Sequence, residues 1–356
     1  MVRMRGLNMG GWLSQIDAIV EKDPEGFPGI DTHMQTFIKE ADFTNVKKWG
    51  FDHVRIPVDS YLFFTEDENP IEERLVNLDN AVKFAKQNGL KLILDLHECP
   101  GHDFSEVTKS PVQKLFMEDD DTYIKKTEKI WACLAERYGQ NDHVLFETLN
   151  EPVAPNAEIW NNVKDRLCTQ IRKYASKSTI ITGSNMWNWP SMFNQLTPFD
   201  DDNMIYSVHF YEPLLFTHQK APWINNPEIK EERPYPGDYG PGFVRKYGLT
   251  LSDGKWDRQR FQKEFEPVNE FRKKYNAQVI CNEFGVYTPV ELQSQLRWYD
   301  DLLCVLKEME IGFSYWNYKN LDFGIISIGE KLHENLPQYN NKERINNPVL
   351  EVLQKY

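Results

Sequence analysis

A chain of 356 residues with 40% hydrophobic and 27% charged side chains has the make-up of an ordinary folded globule, at a length that suits an α/β barrel of about 250 residues or more in one domain. Its formal net charge of −13 excludes nucleic acid as a partner, because phosphate recognition needs a basic surface, and disfavours anionic membranes and polyanionic substrates alike. A neutral or cationic ligand fits better.

Read in chain order, short β-favouring runs alternate with longer amphipathic ones. The run "RMRGLNM" predicts a first strand, followed by the helical pattern "DTHMQTFIKEADFTNVKKWG" and a second strand "DHVRIPV". Next come "NLDNAVKFAKQNG" as helix, "LKLILDLH" as strand, "DTYIKKTEKIWACLAERYG" as helix and "HVLFETLN" as the fourth strand. The pattern continues with "EIWNNVKDRLCTQIRKYASK" as helix and with "STIITGS" and "NMIYSVHF" as strands five and six. It closes with "AQVICNEFG", the helical "PVELQSQLRWYDDLLCVLKEME" and "IGFSYWNY". Glycines in "WGFDHV" and "NGLKLIL" stop two helices just before a strand, as left-handed C-caps do. Strand–helix alternation implies right-handed βαβ units and a parallel sheet. Eight strands most simply close into a (β/α)8 TIM barrel.

One connection is too long for a βα unit: roughly seventy residues separate strands six and seven, and a loop of that length with structure of its own is usually functional. A small helical subdomain at 212–276, inserted after strand six and beside the cleft, is expected within one catalytic barrel spanning 1–356. No stretch approaches the 18 or more apolar residues of a membrane span. The five cysteines are scattered, odd in number and without C-x-x-C spacing, so neither a disulfide framework nor a zinc site is read. That cysteine usage leans to a reducing compartment; secretion with a leader removed is the other reading.

Barrel enzymes assemble their sites at the C-terminal ends of the strands. On that rule the second strand offers Arg55, the third His97, the fourth Asn150 and Glu151, the sixth His209 and Tyr211, the seventh Glu283 and the eighth Trp316. Singly, Arg55 could be an ordinary ion pair, His97 a hydrogen-bonded core histidine and Trp316 core packing. Jointly, polar and aromatic residues at six of eight strand ends point to one site. Glu151 and Glu283 would oppose each other across the mouth, and two opposed carboxyl groups are what glycoside hydrolysis requires, with retention at about 5–5.5 Å separation. A metal-dependent barrel drawing on Asp95, His97, Glu98, His102 and His209 is a rival, weakened by the expectation that Asp95 turns to the strand's other face. A non-catalytic carbohydrate-binding protein is the second rival.

The stretches "LNMGGWLSQ", "GFDHVRIPVD", "LILDLHECPG", "LNEP", "VHFYEP", "FTHQKAPW", "CNEFG" and "YWNYKNLDFG" together resemble glycoside hydrolase family 5 of clan A, in its bacterial endoglucanase C type, from end to end and in family order. The resemblance implies Glu151 as acid/base and Glu283 as nucleophile, with Arg55 and Tyr211 donating to Glu283 and keeping it ionised. The ionised Glu283 would raise the pKa of Glu151. It further implies Asn150 on the 2-hydroxyl of the reacting sugar, His97 on the neighbouring hydroxyl, His209 near Glu151 and Trp316 beneath the ring. Trp12, Trp187, Phe210 and Trp223 are candidates for outer sugar subsites, and Asn8 and Asn185 rank with them. Asn282 departs from the glycine that relatives often carry, and Glu98 from a second histidine. The expected activity is retaining endo-hydrolysis of β-1,4-glucan or mixed-linkage β-1,3-1,4-glucan by a monomer. Neither cofactor nor metal is expected, and exo-β-1,3-glucanase or β-mannanase action is the alternative within the family.

Overall fold

The computed structural model describes residues 3–22, 24–103, 113–224, 226–244, 250–328, 338 and 343–356. Eight parallel strands close into a barrel in simple cyclic order: β1 (Arg5–Asn8), β2 (His53–Asp59), β3 (Lys91–Glu98), β4 (Val144–Glu147), β5 (Ile180–Gly183), β6 (Met204–Phe210), β7 (Gln278–Phe284) and β8 (Gly312–Tyr315). These are the eight runs read from the sequence. Strands four and eight are shorter than expected, because the chain leaves the ladder at Glu147 and Tyr315 to build the rim.

Alternation along the strands sorts side chains into two cores. Outward residues such as Val54, Ile56, Leu92, Leu94, Phe146, Val208 and Phe313 join the large core under the helices. Inward residues form layers, as barrels of this kind do. The floor is apolar: Ile93, Leu145, Ile181, Ile205 and Ile280, with Met4 against them. Two residues further along each strand the interior becomes polar, with Arg55, Asp95 and Glu147 all fully buried. Asp95 therefore shares the inward face of β3 with His97, contrary to the expectation that it turns away; residues two apart on a strand cannot part company.

The outer layer comprises α1 (Glu40–Lys48), α2 (Glu72–Gln87), α3 (Thr122–Tyr138), α4 (Ala157–Tyr174), α5 (Arg258–Glu264), α6 (Glu266–Tyr275), α7 (Leu292–Glu308) and α8 (Asn347–Lys355). Local chemistry sets their ends. The Asp42 carboxylate accepts from the Lys39 backbone N–H at 2.7 Å to start α1, and Asn156 caps α4 by accepting from Ile159 N at 2.9 Å. Gly50 and Gly89 follow α1 and α2 at φ 89° and 61°. Three helix tryptophans, each buried, tie the outer layer to the strand ends. Trp131 donates to Thr148 O, Trp160 to Gly183 O and Trp298 to Glu212 O, at 2.9, 2.9 and 3.0 Å. Three of the ten tryptophans thereby hold the rim in place.

Between Phe210 and Gln278 lie a short helix at Leu214–Thr217, a 3-10 turn at Pro227–Lys230 and two short antiparallel ribbons, followed by α5 and α6. Residues 225 and 245–249 of the expected insertion fall outside the described residues. The helices that the sequence placed there are its last part, and they pack on the barrel. Phe261 and Phe265 meet Phe210 of β6 at 5.4 and 4.9 Å, and Phe261 also meets Trp298 of α7 at 5.8 Å.

In the layer just above the floor, His53 bonds Ser314 Oγ through Nε2 at 2.7 Å, and Gly6 makes the room. A Cβ on Gly6 would stand 2.5 Å from three atoms of that imidazole. Overpacking of a closed barrel costs about 1–3 kcal/mol. Gly6→Ala is expected to lower the unfolding free energy by that amount, read from chemical denaturation midpoints at unchanged m.

Candidate active site

The polar interior is organised round one cation. Arg55, the third residue of β2, has no exposed surface. Its Nε and Nη2 grip Glu147 at 2.7 and 3.0 Å, Nη2 also reaches Asp95 Oδ2 and Asn150 Oδ1, both at 2.9 Å, and Nη1 donates to Glu283 Oε1 at 2.6 Å and Asn8 Oδ1 at 3.0 Å. Burial alone would lower the pKa of this guanidinium; Asp95, Glu147 and Glu283 outweigh it and raise the value well above the ordinary one. Burial in turn pushes Asp95 up to about 7 against the pull of Arg55, and burial raises Glu147 likewise.

Above this hub stand the residues at the strand ends. Glu283 is the next-to-last residue of β7, and Tyr211 donates to its Oε2 at 3.1 Å. Glu151 lies four residues past the end of β4, with its backbone in the left-handed region at φ 42°. Such a residue costs about 1–3 kcal/mol unless its surroundings hold it. Here they do: His102 Nε2 lies 2.9 Å from Asn150 O, Trp187 N donates to Pro152 O at 3.1 Å, and Asn185 brackets Ala154 by accepting from its N–H and donating to its carbonyl. The opening residues of the β5–β6 connection thus clamp the loop that carries Glu151.

His209 Nδ1 stands 2.8 Å from Glu151 Oε1 and 3.5 Å from Glu283 Oε2. One ligand-type atom from each of these three residues lies within 4.8 Å of the other two. Glu151 and Glu283 are 7% and 5% exposed, enough to leave both at the mouth. His97 Nδ1 is 2.8 Å from Asp95 Oδ2, and its ring lies parallel to Trp316 at 5.9 Å between centroids. Gly10 leaves room for that indole, since a Cβ there would come within 2.5 Å of it. Burial lowers both His97 and His209 to about 4, so each is neutral at pH 7.

Arg55, His97, Asn150, Glu151, His209, Tyr211, Glu283 and Trp316 thus converge as the sequence placed them. Trp187 packs with Val153 and Met186 behind the Glu151 loop. Trp223 is half exposed and stands edge-on to Tyr287 at 5.1 Å. It lies 6.4 Å from Phe323, which meets Tyr211 at 6.2 Å, so an aromatic line runs outward from the site. Other candidates are corrected. Trp12 is buried and donates to Met34 O. Phe210 faces the outer aromatic core. Asn8 sits beneath Arg55 with its amide on the carbonyls of Asn282, Ser314 and Tyr315, and Asn185 is the loop clamp. Glu98 pairs in register with Asp59 of β2 and, after burial, its charge helps push Asp59 well above the usual carboxylate range.

Sequence reading missed Asp95 and Glu147 as members of the site. The signal was there: "VLFE" ends an apolar strand on a charge, and Asp95 stands two residues before His97. The rival metal set is not gathered either. Among the described residues, the atoms that could share one ion belong to Glu151, His209 and Glu283.

The sequence profile described as cellulase (glycosyl hydrolase family 5) matches residues 18–322. Endoglucanase C of Acetivibrio thermocellus is 35% identical over 338 residues, which cover 92% of this chain and 94% of that protein. Cellodextrinase A of Ruminococcus flavefaciens is 33% identical over 83% of this chain and 80% of its own. The structure of Thermotoga maritima Cel5A in complex with cellobiose superposes with a TM-score of 0.74 at 23% identity, covering 99% of this chain and 97% of that one, a likeness of fold. The chain belongs to glycosyl hydrolase family 5 and is a glycoside hydrolase.

Proposed function

We propose that the protein is a retaining endo-β-glucanase that cleaves β-1,4 linkages in cellulose-type or mixed-linkage β-1,3-1,4-glucans by double displacement. The observation that carries the reading is the spacing of two glutamates, one in the loop after strand four and one on strand seven. One carboxylate oxygen of Glu151 lies within 4.8 Å of one of Glu283, in keeping with a retaining pair at about 5–5.5 Å between carboxyl groups rather than an inverting one at about 6.5–9.5 Å.

The two glutamates have different surroundings. Glu283 receives a cationic donor from Arg55 and a neutral one from Tyr211, which suits a carboxylate aimed at the anomeric carbon. Glu151 faces the imidazole of His209 and serves as the proton donor. In the first step Glu283 attacks the anomeric carbon, the glycosidic C–O bond breaks and the leaving oxygen takes the Glu151 proton. In the second, water attacks the same carbon, Glu151 takes its proton and the ester to Glu283 breaks. Asn150 suits the 2-hydroxyl contact, because Arg55 holds its Oδ1 while its buried Nδ2 has no hydrogen-bond partner among the described residues. Trp316, stacked with His97, is the platform beneath the reacting ring, and Trp223 extends the surface at the rim; both offer flat apolar faces to sugar C–H groups. Trp187 is assigned to the sugar path less directly, through its place against the Glu151 loop.

The glucan assignment rests on the names of the relatives. A weaker likeness favours a second reading, exo-β-1,3-glucanase action: the probable glucan 1,3-beta-glucosidase A of Emericella nidulans is 27% identical over 59% of this chain. A product profile on carboxymethylcellulose, barley-type mixed-linkage glucan, laminarin and mannan separates the readings. Rapid release of internal fragments from the first two is expected, and activity confined to laminarin or mannan overturns the proposal. Proton NMR of the nascent product is expected to show the β-anomer first.

Glu151→Gln should lower kcat on glucan by about 10²–10⁴-fold, the usual worth of general acid–base catalysis, and cost less on aryl glycosides whose leaving group needs no proton. Glu283→Gln should abolish turnover on both; equal losses for the two variants on every substrate would break the assignment of roles.

Three buried imidazoles, His97, His102 and His209, are each lowered by burial to about 4. The unfolded chain binds their protons near pH 6.5 while the folded chain does not, so their stabilising share is complete above 6.5 and erodes as pH falls towards 4. Asp95 and Glu212, raised by burial to about 7, work in the opposite sense over the same range. Replacing a single imidazole isolates one contribution. His102→Gln should lose less stability than the parent between pH 6.5 and 4.5, by up to about 1.4 kcal/mol per pH unit, read from denaturation midpoints.

A further inference from the structure

Strand β7 does not keep its pairing register against β6. Cys281 pairs with Val208, yet Glu283 pairs with His209, so one residue too many stands between them. The extra residue is Asn282. In regular alternation Asn282 and Glu283 would point to opposite faces; the bulge lets both enter the barrel. Glu283 turns to Arg55, while Asn282 Nδ2 donates to Glu147 Oε1 at 2.8 Å. Glu147 closes β4, the strand that leads into the Glu151 loop. The Asn282 carbonyl is itself held, by Asn8 Nδ2 at 2.8 Å.

These contacts form a brace. A neutral amide reaches across the barrel from the residue before Glu283 to the strand before Glu151. It supplies Glu147 with a donor in addition to the two from Arg55, on the Oε1 that also accepts from Arg55 Nη2, and brings no second charge to the hub. The Arg55 Nη1 group is left to Glu283 and Asn8. A side chain without an N–H at 282 would leave a fully buried carboxylate oxygen one donor short and the bulge without its inward anchor.

We propose that Asn282 is a positioning residue for the hydrolytic reaction, setting the separation of Glu151 and Glu283 through its bond to Glu147. This rests on the assignment of those two glutamates as the reacting pair. Since a misplacement of about 1 Å can cost on the order of 10²-fold in rate, the effect should fall on kcat and not on binding.

The test uses Asn282→Ala, Asn282→Ser, Glu147→Gln and the Asn282→Ala/Glu147→Gln double variant, with Glu283→Ala as reference. Asn282→Ala should lower kcat on mixed-linkage glucan by about 10–100-fold, with KM within roughly threefold. The acid limb of its pH–rate profile should move, because the like-charge coupling of the pair depends on their distance. Asn282→Ser keeps a shorter donor and should fall between, which also provides the measurement if the alanine variant does not fold. The double variant should be no slower than the slower single one. A parent-like kcat and pH profile in Asn282→Ser or Asn282→Ala, or a double variant whose losses multiply, overturns the inference. If Glu283→Ala retains turnover, the assignment of the reacting pair is what has failed.

Discussion

A guanidinium buried without any exposed surface must be matched by acids, and the need to satisfy Arg55 shapes the centre of this barrel. The cost of taking one charge from water is several kcal/mol even after relaxation. It is offset here by charge-assisted bonds to Glu147, Asp95 and Glu283 and by the amide oxygens of Asn8 and Asn150. Those partners come from β1, β3, β7, β4 and the loop after β4, so one cation binds several strands into a single electrostatic unit. Removing one member would leave a buried charge uncompensated, a loss of about 3–5 kcal/mol in other proteins. Burial drives Asp95 to about 7 against the pull of Arg55, with the nearby Glu151 adding to the rise. Of the unit's three acids, Glu283 is the one that also meets the mouth of the barrel.

Placement of the opposing glutamate uses a different device. Glu151 is not carried by regular strand; it sits on a left-handed residue of a loop, and that loop is gripped from below by His102 and from the side by Asn185 and Trp187. Rigid scaffolding thus positions one carboxylate directly and the other through a locally strained turn. The tryptophans of α3, α4 and α7, bonded to carbonyls at the ends of β4, β5 and β6, extend the same rigidity to the rim. A site whose reacting groups must hold a separation to within a fraction of an ångström gains from each such tie.

Legibility in the sequence followed the periodicity of each segment. Long outward-facing apolar runs such as "LKLILDLH" fix a strand by pattern alone, and the strand-end rule then finds His97, Glu151, His209, Tyr211, Glu283 and Trp316. Asp95 was misjudged although the period-two rule places it beside His97. Glu147 escapes the strand-end rule because the expected strand "HVLFETLN" runs on to Asn150, which leaves this carboxylate mid-strand. The aromatic candidates divided by burial: Trp12 and Phe210 proved to be packing, whereas Trp223 stands half exposed at the rim. A tryptophan looks the same in either setting, since its neighbours come from elements distant in the chain.

By itself, the sequence determined the eight strands, their cyclic alternation with helices and the identity of the polar residues that end them, because all of these depend on side-chain patterns within about ten neighbouring residues. Tertiary structure alone decided that Arg55 collects three acids, that Asn282 bulges inward beside Glu283 and that the Glu151 loop adopts a left-handed residue. Each of these depends on contacts between residues tens to hundreds of positions apart, from Asn8 with Asn282 to Arg55 with Glu283, and such distances leave no periodic trace along the chain.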